Sequence, residues 1–174
     1  MGRIGSELLD VNDVFPELNL QLVSGETLKL PEGTGEGYGV VLFYRGYWWP
    51  FCNQQLADFQ SLIKEFESEQ IAVIAGSVDP VEKARETVEK LALTYPVCYD
   101  MVAEEISRIT GAYYDIDKKF VHATGFLIRP DKTIEVACYS SGPIGRFVPQ
   151  DVLKLVKFYE AERRANRFKL LVTV

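Results

Sequence analysis

Apolar positions along the chain switch between unbroken runs and helical stripes, and the switches mark its elements. Val40, Val41, Leu42, Phe43 and Tyr44 form a continuous apolar run, the composition of a strand covered on both faces. Just beyond it Cys52, Leu56, Phe59, Ile63 and Phe66 recur at i, i+4, i+7, i+11 and i+14, one helical stripe that predicts a single helix over 50–67. Pro50 suits its first position, where a missing N–H costs nothing. Residues 71–78 are a second strand-type run. Asp79 is then expected to cap a helix, with Pro80 at its first position, Glu82 completing a D-x-x-E capping box, and a stripe of Val81, Ala84, Val88 and Leu91.

The remaining pattern is shorter in period. Loose alternation from Leu18 to Leu30 around Ser24-Gly25 predicts a hairpin at a sheet edge. Residues 95–98 read as a short extended piece and 103–110 as a short helix closed by Gly111. Strands over 124–128 and 132–139 flank the turn Arg129-Pro130-Asp131-Lys132. Pro149 opens a last helix, expected to end near Arg164. The apolar, β-prone tail 168–174 could dock on the domain or pair with another copy. Gly33, Gly35, Gly37 and Gly39 precede a strand, so they read as a flexible connection and not as a phosphate cradle, which follows a strand and opens a helix.

Strands alternating with helices, plus a late hairpin, imply an α/β fold: a central mixed sheet, helices on both faces and an N-terminal β-hairpin. No repeat or internal boundary interrupts it. A single domain over 1–174 is expected, with roughly the first 11 and last 10 residues as extensions.

Composition narrows the partners. The 25 acidic and 19 basic residues give a net charge of −6, which argues against nucleic acid or an anionic membrane as a partner. No apolar run approaches the ~20 residues of a membrane span, and Met1–Glu7 does not read as a secretory signal. Three cysteines, Cys52, Cys98 and Cys138, are too few and too dispersed for a secreted disulfide scaffold, so a cytoplasmic location is expected. With one histidine, His122, no zinc-ligand spacing is present. A Cys52–His122 hydrolase pair would need spatial proximity that the sequence does not supply.

Cys52 carries the candidate chemistry. Two residues inside the helix start, it lies among unpaired N–H groups at the positive end of the dipole, a position that lowers a thiol pKa from about 8.5 toward neutrality. The opposing reading is packing, since cysteine is among the most buried residue types. Cys98 and Cys138 sit in apolar strand contexts and read as structural.

The segment Val40–Trp48, the helix start Pro50-Phe51-Cys52-Asn53-Gln54-Gln55-Leu56, the pair Ser77-Val78-Asp79 and the tail Ser140–Pro149 together resemble the peroxiredoxin-like AhpC/TSA (redoxin) family of the thioredoxin superfamily. The resemblance runs from about Asn12 to Tyr159. Members usually read Trp-Cys-Pro-[Tyr/Phe]-Cys at this corner. Here Trp49 replaces the first cysteine, so that disulfide cannot form. Aligned on the family's P-x-x-x-T-x-x-C, Cys52 takes the peroxidatic place while Arg45 and Trp49 replace the proline and the threonine. The family's arginine near Ala123 and Thr124 is also missing, with His122 the nearest polar group.

The resemblance implies a thioredoxin-like fold and a one-cysteine, thiol-dependent antioxidant peroxidase in which the Cys52 thiolate attacks a hydroperoxide. Arg45 would hold the thiolate charge and orient the peroxide, or else be a solvated surface arginine. Trp49, Pro50 and Thr124 would neighbour the site. Trp49 either packs over the helix start or replaces a once redox-active residue. An external thiol reductant, no cofactor, no metal and, as in related folds, a homodimer follow from the same resemblance. Two other classes remain: a non-catalytic protein binding through Tyr47, Trp48, Trp49 and Phe51, and thiol–disulfide exchange through Cys52.

Overall fold

The computed structural model describes residues 7–172, with side chains to residue 166. Met1–Ser6, on which the leader expectation falls, lie outside the described residues. Seven strands form one mixed sheet in the order β2-β1-β5-β4-β3-β6-β7. They are β1 (Leu18–Leu22), β2 (Thr27–Leu30), β3 (Gly39–Phe43), β4 (Ala72–Gly76), β5 (Val97–Tyr99), β6 (Thr124–Ile128) and β7 (Ile134–Tyr139). β3 runs parallel to β4 and antiparallel to β6. The expected N-terminal hairpin is β1–β2, with β2 at the sheet edge.

Strand alternation in β3 divides the core. Val40 and Leu42 face one cluster with Leu56, Phe59, Phe66, Val152 and Val156. Val41 and Phe43 face the other with Phe15, Ala103, Ile106 and Phe126. The first cluster receives α1 (Pro50–Ser61), α2 (Ile63–Ser68), α3 (Val81–Leu91) and α5 (Pro149–Val172), and the second receives α4 (Ala103–Thr110). The large, fully buried side chains of β3 therefore anchor both layers, and its C-terminal end delivers the chain to the corner that carries Cys52.

Four local expectations are revised. The single helix over 50–67 is two helices, because the chain breaks at Leu62 (φ −110°, ψ 9°); the new angle still buries Phe66. Helix α3 starts at Val81 with Pro80 as its N-cap and no side-chain cap bond. The carboxylate of Asp79 is instead engaged elsewhere, as described below. Helix α5 continues past Arg164 to Val172, since Ala161, Glu162, Arg163, Arg164 and Ala165 are strong helix formers. The tail is thus helical as far as Val172, and Thr173 and Val174 lie outside the described residues. Within the glycine-rich connection, Glu32–Thr34 form a 3-10 turn.

Candidate active site

The corner between β3 and α1 is held open by one carboxylate. Asp79, buried at the end of β4, accepts hydrogen bonds from the Tyr47 N–H (2.8 Å) and the Ser77 hydroxyl (2.8 Å). Burial pushes its pKa up, against the lowering effect of those two bonds. Gly46 lies at φ +146°, where a Cβ would stand 2.9 Å from Asp79 Oδ1 and 2.6 Å from Trp48 Nε1. Only glycine fits this turn. Trp49 follows as the N-cap of α1, and Pro50 occupies the first helical position as expected.

Cys52 is completely buried. Its own N–H is spent on Trp49 O (3.0 Å), so the sulfur is not held by free amides of the helix start, contrary to expectation. Two other donors reach it. The Arg45 backbone N–H, at the strand end, lies 3.4 Å from Sγ. Arg146 Nη1, from the segment between β7 and α5, also lies 3.4 Å from Sγ. A cation and an amide are thus both directed at one sulfur. Arg146 is the functional residue that sequence reasoning passed over. It stood inside the quoted Ser140–Pro149 segment, but nothing in spacing linked it to Cys52.

Of the two expectations for the Arg45 side chain, the solvated surface arginine does not hold. It is neither solvated nor ion-paired at the surface: it is 9 % exposed, with its guanidinium carbon 4.4 Å from the ring centre of Trp49, 4.7 Å from Phe120 and 5.4 Å from Trp48. Such desolvated cation–π contacts contribute up to about 2 kcal/mol. Burial lowers its pKa, and the nearby Cys52 partly restores it. Arg45 thus gives the sulfur its amide as a hydrogen-bond donor and its guanidinium as a neighbouring charge.

The segment Ser140–Val148 closes over the sulfur as a strap. Trp49 Nε1–H donates to Pro143 O (3.0 Å), Gln55 Nε2–H to Phe147 O (3.0 Å) and Arg146 Nη2–H to Pro143 O (3.0 Å). Ser140 Oγ–H lies within bonding distance of Gly142 O and Ile144 O. The Phe147 ring fills the space over Gly125, where a Cβ would come within 2.7 Å of it. Trp49 therefore packs over the helix start and ties the strap down.

His122 is buried, with Nδ1 3.3 Å from Gly142 O. Burial lowers its pKa first of all, and Arg45 adds to that. Thr124 is not brought to the sulfur. It is in register with Phe43 and Tyr139, whose side chains face the α4 cluster, while Cys52 belongs to the other. Its hydroxyl donates to His122 O (3.1 Å).

The two other thiols differ. Cys98 is buried in the α4 cluster, with the sheet between it and Cys52, and burial pushes its pKa up to about 12. Cys138 is half-buried. Burial raises its pKa and Arg146 partly offsets this. Among the described residues no group of His, Cys, Asp and Glu is arranged to hold a metal, and no helix is long and apolar enough to cross a membrane.

A thioredoxin-like sheet with a cation-flanked cysteine at the β3–α1 corner defines a redoxin-type protein. The chain belongs to the AhpC/TSA family, whose model matches residues 11–137. It is 24% identical over 168 residues to a 1-Cys peroxiredoxin of Dictyostelium discoideum, covering 93% of this chain and 68% of that protein. It is 22% identical over 148 residues to the 1-Cys peroxiredoxin PER1 of Triticum aestivum, covering 79% and 67%. Among solved structures, peroxidoxin BcpB from Mycobacterium tuberculosis superposes with a TM-score of 0.73 at 22% identity, over 88% of this chain and 97% of that one.

Proposed function

We propose that the chain is a one-cysteine thiol peroxidase and that Cys52 is its nucleophile. The observation that carries this reading is the convergence of Arg146 Nη1 and the Arg45 N–H on Cys52 Sγ. The thiolate attacks the terminal oxygen of a hydroperoxide. An S–O bond forms, the O–O bond breaks, and the alkoxide leaves and takes a proton to become the alcohol (or water). Sulfur is oxidised by two electrons to the sulfenic acid. An external thiol then condenses with the sulfenic acid, releasing water and giving a mixed disulfide, and a second thiol displaces Cys52 as thiolate.

The placement of Cys98 supports an external reductant, since it lies across the sheet from Cys52. Because the sulfur is sealed, peroxide entry requires movement of its cover, of which the Ser140–Val148 strap is a part.

Peroxide consumption with and without a small thiol donor, for wild type and Cys52→Ser, tests the reading. Thiol-dependent turnover lost in the variant supports it. Turnover retained without Cys52, or no turnover in either protein, contradicts it. The exposed rings of Tyr47, Trp48 and Phe51 favour a second reading, a binding protein, which like thiol–disulfide exchange through Cys52 predicts silence in both; a disulfide-reduction assay on the same two proteins separates those.

A further inference from the structure

Arg45 has an unmet requirement. The residue is more than nine-tenths buried, yet among the described residues its Nε and Nη1 have no hydrogen-bond partner. A buried guanidinium nitrogen without an acceptor is costly, and such a group in a native fold calls for a ligand or ordered solvent. Its surroundings are apolar. Trp48, Trp49 and Phe120 enclose it, and Phe51 extends the ring series from Trp49 at 5.7 Å between centroids. Trp48, with 44 % of its surface exposed, is the wall nearest to solvent, and Phe51 and Ile144 are exposed apolar residues beside the same corner.

Charge bears on the same donors. Arg45 and Arg146 bring two guanidinium groups to the neighbourhood of one sulfur. Asp115 also acts on Arg45 by charge, yet among the described residues no group accepts a hydrogen bond from its Nε or Nη1. An aliphatic or aromatic body stacking on the rings, with an anionic group meeting the Arg45 donors, satisfies both features.

We propose that Arg45 and its aromatic enclosure form a carboxylate subsite, which makes the substrates organic hydroperoxides that carry a carboxylate on a short apolar chain. The assignment of the substrate class rests on the peroxidase reading; the subsite itself does not. The two functions are spatially linked, since the Arg45 amide touches Sγ and its guanidinium is no farther from that amide than one side chain's length.

Octanoate and octanamide, neither of them a peroxide, probe the subsite through the fluorescence of Trp48 and Trp49. Saturable binding of octanoate at least tenfold tighter than octanamide is expected, falling with added salt. The preference should vanish in Arg45→Met and partly survive in Arg45→Lys, which also serves as the comparison if the methionine variant folds poorly. Equal binding of the two ligands, or a preference unchanged in Arg45→Met, overturns the subsite. The substrate class is read separately, as the ratio of Cys52 oxidation rates for a carboxylic hydroperoxide and its methyl ester; the ratio should exceed ten in wild type and approach one in Arg45→Met. Charge-selective octanoate binding without any Cys52 oxidation would sink the peroxidase reading and leave the subsite standing. Oxidation at equal rates for acid and ester would do the reverse for the substrate class.

Discussion

Arg146 Nη1 stands 3.4 Å from Cys52 Sγ although the two residues are 94 positions apart. The contact joins the first turn of α1 to the segment that precedes α5, and it brings a guanidinium to a sulfur otherwise enclosed by apolar side chains. A charge-assisted bond of this kind contributes about 1.5–3 kcal/mol. Arg146→Met should therefore slow oxidation of Cys52 by peroxide about 10- to 100-fold, with Arg146→Lys intermediate. Single-turnover kinetics at neutral pH check this, and an unchanged rate would remove Arg146 from the site.

Gln55 reports on the strap. Its Nε2–H donates to Phe147 O from one turn beyond Cys52, so Gln55→Ala frees one tie without touching the sulfur. Alkylation of Cys52 by iodoacetamide should accelerate in the variant, while the folding free energy falls by about 1 kcal/mol. Mass-spectrometric quantification of labelled Cys52 against time gives the rate. The direction is opposite to that of Arg146→Met, and the pair separates access from activation.

Asp79 holds the corner through Tyr47 and Ser77. Asp79→Ala leaves a partly buried N–H and a hydroxyl without that acceptor, at a cost of about 1–3 kcal/mol in urea denaturation. Asp79→Asn keeps an acceptor for Tyr47 and should cost less. Because burial raises the Asp79 pKa from its ordinary 3.8, the proton-linked part of its contribution is fully present below that value and is lost as pH rises through the folded pKa, while the two hydrogen bonds remain.

His122 gives the opposite slope. Its folded pKa lies below the ordinary 6.5, chiefly through burial; the Gly142 carbonyl contact opposes this, Arg45 adds to the depression and Asp115 opposes it. Its contribution is present above about 6.5 and is lost as pH falls from there through the folded value, by about 1.4 kcal/mol for each unit of depression. As the chain has a single histidine, an NMR titration of the imidazole reads that pKa directly. The urea midpoint should fall between pH 7.5 and 5 in wild type and fall less in His122→Gln.

Much of the fold was legible because it rests on local chemistry. The β3 run, the α1 stripe with Pro50, and α4 stopping at Gly111 (φ +77°) each follow from residues adjacent in sequence. The site was legible only where it is local too: Cys52 at the corner, Pro50 beneath it, Trp49 packed on the helix start. The expected use of helix-start amides failed because Trp49 O competes for them. The Asp79 cap failed because Tyr47, 32 positions away, offers its N–H to the same carboxylate. Alternation sets the Thr124 side chain on the face of Phe43, away from that of Cys52. Arg146 was invisible for the same reason in reverse: a long-range contact leaves no periodicity.

The central claim is that Cys52 becomes a sulfenic acid on meeting a hydroperoxide. One equivalent of hydroperoxide added to the reduced protein with dimedone, followed by peptide mass spectrometry, measures this at all three cysteines at once. The account predicts a dimedone adduct on Cys52, with Cys98 and Cys138 unlabelled and the adduct sharply reduced in Arg146→Met. Labelling confined to Cys138, or no adduct on Cys52 while the peroxide is consumed, would contradict it.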